Sequence, residues 1–233
     1  MERHFDQELA TLREQLLRMG GQAEAITKKA IRALERRDPA LAEEAFADDH
    51  AIDRLEIDIE ERCVQLLALQ QPMARDLRFI TAALKISNDL ERVGDHAVNI
   101  AGAAKRLASE PPLRSLGDIP RMETLASAML RDALEAFVRR DTESARALCR
   151  RDDEVDQLNR RISHDLLTTM IEDPSTISRL LELILVARNL ERIADLATNV
   201  AEEVVFISEA RIIKHHAEDA QPATPSDDDF GRS

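Results

Sequence analysis

An all-α fold, built as two tandem, pseudo-symmetric three-helix bundles of long antiparallel helices, is what this sequence predicts. Three observations carry that expectation. The 233 residues include no Trp or Tyr and only six Phe and six Gly, so the apolar side chains are mostly Leu, Ile and Ala, which suit helix better than strand. Those apolar residues recur at three- and four-residue spacing over long stretches, the period of a helix with one buried face. A twelve-residue phrase is also written twice, LERVGDHAVNIA from Leu90 to Ala101 and LERIADLATNVA from Leu190 to Ala201, 100 residues apart.

The first helix is expected from about Phe5 to Leu34, with Phe5, Leu9, Leu12, Leu16, Met19, Ala23, Ile26 and Ala30 on one face and a bend at Gly20-Gly21. Asp38 then reads as a cap and Pro39 as a first helical residue, opening a second helix that runs to about Leu69. A break at Pro72 leads into a third, ending near Leu107. The segment SEPPLRSLGDIP, residues 109–120, carries three of the eight prolines and reads as a linker. Beyond it the plan repeats, with helices from about Met122 to Arg139, Thr142 to Met170 and Ser175 to Ala210, the last two separated by Glu172-Asp173-Pro174. The expected units are residues 1–108 and 121–213, each with its own core in an elongated molecule. Residues 214–233 lack apolar periodicity and read as a disordered acidic tail.

A formal charge of -13 without a dense basic cluster argues against nucleic acid, which is gripped by Lys and Arg on phosphates. The longest apolar runs, such as LELILVA at Leu181 to Ala187, fall well short of the ~20 residues needed to span a bilayer. The charged start MERHFDQEL does not resemble a signal peptide. A cytoplasmic protein, reaching a membrane only through partners, is the expectation. Cys63 and Cys149 do not match between the copies, since Cys149 lies over Phe46, and they read as reduced core thiols.

Duplication also filters candidate chemistry. At an offset of 103, DDHAIDRL (Asp48 to Leu55) lies over RDDEVDQL (Arg151 to Leu158), so each copy carries an acidic pair on its second helix and another on its third. The pairs are Asp49/Asp53 with Glu91/Asp95, and Asp152/Asp156 with Glu191/Asp195. Residues four apart stack on one side of a helix, and here that side points outward or sideways from the apolar stripe. Antiparallel neighbours would bring four carboxylates to one seam per unit, a repulsive arrangement that a multivalent cation resolves. Oxygen ligands select hard ions. Glu56 and Glu60 become Asn159 and Ser163, and His50 and His96 become Asp153 and Leu196, so none of these passes the filter. Arg92 and Arg192 occur in both copies and are expected in interhelical salt bridges.

The phrases QQPMARDLR (Gln70 to Arg78) and NDLERVGDHAVNIA, with the echo NLERIADLATNVA, resemble the PhoU family of phosphate-uptake and phosphate-response regulators over about Arg3 to Lys214. That resemblance implies two three-helix bundles, assembly as a homodimer, and metal clusters, with Fe, Mn or Mg as the expected ions, on the eight carboxylates named above. It further implies a non-catalytic adaptor that couples a phosphate ABC transporter, through its ATPase, to a sensor histidine kinase and keeps phosphate-starvation genes off. The second copy departs at Ala194 for Gly94, at Leu196 for His96, and by writing EDPSTISR where the first has QQPMARDLR. Two alternatives are a dimetal carboxylate enzyme and a metal-free helical scaffold. The Glu-x-x-His spacing of bundle dimetal enzymes is absent from the sequence, as are a Gly-rich phosphate loop and a CxxC pair.

Overall fold

A computed structural model of the chain describes residues 2–113 and 115–210. Among them run seven α-helices: α1 Glu2–Arg36, α2 Pro39–Gln70, α3 Ala74–Ala108, α4 Ile119–Arg139, α5 Thr142–Cys149, α6 Asp152–Glu172 and α7 Ile177–Glu209. The acidic tail expected at 214–233 lies outside the described residues.

Caps and turns follow from residue chemistry. Asp38 Oδ1 accepts from the backbone N–H groups of Ala40 at 2.9 Å and Leu41 at 3.4 Å, with Pro39 at the first position of α2. Asp141 repeats the device, accepting from the amides of Glu143 and Ser144 to start α5. α1 and α4 end on Arg37 and Arg140, the duplicated arginine of ALERRD and AFVRRD, at φ 53° and 56°. No helix among the described residues is long and apolar enough to cross a membrane.

Three features depart from the sequence-based expectation. Gly20-Gly21 does not interrupt α1. A Cβ at position 20 would fall 2.3 Å from Leu134 Cδ1, whereas one at position 21 meets nothing within 4 Å, so Gly20 is the point where α1 and α4 pass at close range. The single helix expected over Thr142 to Met170 is two, parted at Arg150-Arg151. No Pro or Gly lies in that stretch, so no breaker residue marks the interruption. The third difference is the core. Buried residues of both units, from Leu12 through Ile86 and Ala97 to Leu130, Val186 and Val204, form one continuous cluster instead of two.

That shared core exists because α3 and α7 pack side by side and antiparallel. Arg78 Nε donates to the carbonyl of Ile207, Lys85 Nζ to Glu203, and Arg106 to Glu182, while the His96 ring lies on Asn189 at 2.9 Å. Numbers rise along one helix as they fall along the other. Ala83, Ala97, Ala101, Ala187, Ala194 and Ala201 are fully buried on these helices, and side chains this small permit close interaxial approach. The outer helices then clothe the pair, α1 and α2 against α3, and α4, α5 and α6 against α7.

Candidate metal centre

Each acidic pair is held by a helix whose opposite face is fixed in the core. Ile52, Leu55 and Ile59 bury one side of α2, and Leu90, Val93 and Ala97 one side of α3. This leaves Asp49, Asp53, Glu91 and Asp95 along the seam between them. Of the eight carboxylates selected by duplication, all but Asp95 are half-buried, more enclosed than a solvated face would be.

Enclosure and like charge show in their proton affinities. Asp49 is pushed up to about 6, first by burial and then by Asp53 and Asp95. Burial again leads at Glu91, followed by Asp95, Glu56, Asp53 and Asp49, and raises it to about 7. Gly94 makes this approach possible, because a Cβ there would lie 2.6 Å from Asp49 Oδ1 and 3.1 Å from Ile52 Cδ1. In the second unit Asp152 is raised to about 6 by burial, then by Asp195, Asp156, Asp153 and Glu191. Its Oδ1 is buried without a hydrogen-bond partner among the described residues. Asp195 is also raised by burial, but Arg192 opposes the shift, donating to Asp195 Oδ2 at 3.0 Å.

The structure therefore groups both predicted sets and makes them unequal. Ala194 stands where the first unit has Gly94, and the helix facing it is the one that breaks, so Asp152 becomes the first residue of α6 whereas Asp49 sits within α2. Among the described residues, Arg92 and Arg192 pair within their own helices and not between helices as expected. Arg92 faces Asp89 at 3.6 Å within α3; the second copy has Asn189 there, and Arg192 turns to Asp195 instead.

Two residues set aside by the duplication filter stand at the seams. Glu56 is raised by burial and by Glu60, Asp53 and Asp95, against a side-chain hydrogen bond from Asn88. Its spacing of three from Asp53 was the available signal, overridden because Asn159 replaces it in the second copy. His96 crosses to the other unit, touching Asn189 and drawing Asp195 downward. His50 is 76% exposed, with its Nδ1 3.6 Å from Asp53 Oδ2.

The donor set is all oxygen, an orphaned buried carboxylate oxygen stands in one seam, and a glycine cradle stands in the other. These features fit a hard cation. As the side chains stand, no three His, Cys, Asp or Glu among the described residues are arranged around one ion, so closure on a metal requires side-chain rotation.

Comparison with known proteins adds an independent line. A family model described as the PhoU domain matches twice, at residues 16–104 and 119–204. The chain is 41% identical over 204 residues to the phosphate-specific transport system accessory protein PhoU homolog of Clostridium acetobutylicum, covering 87% of this chain and 93% of that one. It is 43% identical over 208 residues to the homolog of the same description from Aquifex aeolicus, covering 89% and 94%. Among solved structures, PhoU from Pseudomonas aeruginosa superposes with a TM-score of 0.86 at 37% identity, over 89% of this chain and 100% of that one. The phosphate transport system regulatory protein PhoU from Streptococcus pneumoniae gives 0.83 at 32%, over 89% and 98%.

Proposed function

Since this chain belongs to the PhoU family, we propose that it is an accessory protein of a phosphate-specific transport system and a negative regulator of phosphate uptake and of the phosphate-starvation response. In this reading it is a cytoplasmic, non-enzymatic adaptor. It works as a homodimer and couples the ATPase of a phosphate ABC transporter to a sensor histidine kinase. The observation that supports a built site on it, beyond an acidic surface, is the duplicated pair of half-buried carboxylate seams.

Asp49, Asp53, Glu91 and Asp95 would hold hard cations in the first unit, and Asp152, Asp156, Glu191 and Asp195 in the second, with Fe, Mn or Mg as the expected ions. A bound cation would supply charge neutralisation, relieving the repulsion that raises Asp49, Glu91 and Asp152. The chain's part is to keep these carboxylates close and partly desolvated. A second reading, acidic seams that dock basic partner surfaces without metal, is favoured by the side chains' not converging on one point.

Two experiments separate these statements. In a strain lacking the gene, a reporter of phosphate-starvation genes should be on in rich phosphate and be silenced by the restored chain; a reporter unchanged by deletion removes the regulatory role. Metal content of the gently purified protein should exceed that of the Glu91→Ala, Asp95→Ala, Glu191→Ala, Asp195→Ala variant. Equal, negligible metal in both leaves the docking reading.

A further inference from the structure

Away from the carboxylate seams, four helix ends meet around a cavity of about 160 Å³ lined by Arg13 of α1, Arg75 of α3, Arg140 at the end of α4, and Phe79. Such a concentration of positive charge is unusual in a chain of net charge -13. Among the described residues, none of the three guanidinium groups is in an ion pair or a hydrogen bond, although the carboxylates of Asp6 and Asp76 also line the cavity. Arg13 lays its guanidinium 5.3 Å over the ring of Phe79, which itself stacks on Phe137. Stacking occupies the face of a guanidinium and leaves its in-plane N–H groups for an acceptor. Arg13 Nε is buried and unpartnered, and so is Ser208 Oγ in the adjoining recess.

The two copies give an internal comparison. Arg37 is the counterpart of Arg140, with the same left-handed backbone, and it spends its guanidinium on the carbonyls of Ala108 and Glu110. The Arg140 guanidinium makes no hydrogen bond among the described residues; burial first, then the neighbouring Arg75 and Arg13, hold it below the ordinary arginine range, against the opposing pull of Asp76. Arg13 and Arg75 align with Leu116 and Ile177, so the cluster occurs in one copy only. Three guanidinium groups set against the two carboxylates of Asp6 and Asp76 leave the cavity with an excess of positive charge, which an anion would balance.

We propose that Arg13, Arg75 and Arg140 form a binding site for a small tetrahedral oxyanion of the inorganic phosphate type, independent of any metal on the carboxylate seams. Guanidinium forks match the paired oxygens of such an ion, and the Ser208 hydroxyl supplies a further donor next to it. The cavity's size favours the free ion over a larger phosphorylated molecule.

Titration calorimetry of the full chain in chelator-treated buffer, with inorganic phosphate as the probe, tests this. Saturable binding of one phosphate per chain is expected, with Arg75→Gln and Arg140→Gly each weakening it by about tenfold or more. Glycine suits the backbone at 140, and unchanged melting of both variants would show that they fold. Lys105→Gln, a cation elsewhere on the surface, should leave binding unaltered. Absence of saturable binding at millimolar phosphate overturns the proposal. So does binding that survives both arginine changes but disappears in Asp49→Asn, Asp152→Asn, which would place phosphate at the seams.

Discussion

Lys85 Nζ lies 2.9 Å from Oε1 and 3.2 Å from Oε2 of Glu203, linking α3 to α7 across the junction of the two units. The glutamate side chain is 5% exposed and the lysine 48%, so the carboxylate is committed to the interior while its partner stays half in water. Lys85 also packs 5.1 Å over the ring of Phe206. Lys85→Met keeps the stem and removes the charge, leaving a buried carboxylate without its cation. A loss of about 1–3 kcal/mol is expected, or several degrees in Tm for a chain of this size. Thermal unfolding checks it, and Lys85→Arg should restore most of the loss. Wild-type melting of Lys85→Met would show that the pair contributes nothing.

Proton affinities at the seams set a direction for pH dependence. In metal-free protein Asp49, Glu91 and Asp152 keep their protons up to about 6, 7 and 6, whereas in the unfolded chain they release them near about 4. Between those limits the folded state binds more protons, so its stability falls as pH rises. Chelator-treated protein should melt higher at pH 5 than at pH 8. The difference should shrink in Asp49→Asn, Glu91→Gln, Asp152→Asn. Bound metal should reverse the trend, because ligation requires deprotonated carboxylates; a metal-free Tm that climbs from pH 5 to pH 8 contradicts the shifts.

Gly94→Ala places a methyl against Asp49 Oδ1 and Ile52 Cδ1. Asp49 is the freer of the two to move, so the first seam should lose metal affinity several-fold while the fold persists. Ala194→Gly adds no such clash and should cost helix stability of about 1 kcal/mol without weakening metal binding. Metal titrations of the two variants, followed alongside circular dichroism, distinguish a seam effect from a folding effect.

At the start of α2, Asp38→Ala removes the acceptor for two amides. Its expected cost is about 1 kcal/mol, seen as a drop of about 2–4 °C in Tm. Asp38→Asn, which can still accept, should recover much of it.

Helices and seams were legible because their signals are local or repeated. Spacing of apolar residues and the Asp38-Pro39 cap mark helix positions within a few residues, and duplication picked out eight acidic residues that the fold groups on two seams. What escaped depends on residues that occur once and act between units. Gly20 reads as a flexible point until Leu134 is seen against it. Lys85 and Glu203 look like ordinary surface charges until α3 meets α7. The interruption at Arg150-Arg151 carries no Pro or Gly, and Glu56 was discarded by the same filter that selected its neighbours. A repeat reveals what both copies need and hides what only their junction needs.

The antiparallel contact of α3 with α7 has the form of an isologous interface. Shifted back by the 100-residue repeat, Ile207 falls at 107 and Glu182 at 82, so Arg78 meeting 107 is answered, to within one helical turn, by Arg106 meeting 82. Two separate copies would make such a contact about a twofold axis, with every residue obliged to suit its own image. Covalent fusion lifts that obligation. Lys85 can face Glu203 without a reciprocal partner, His96 can meet Asn189 once, and Arg140 can stay without a guanidinium hydrogen bond among the described residues while Arg37 donates to two carbonyls. One chain thus carries a symmetric dimer's architecture with two chemically different ends.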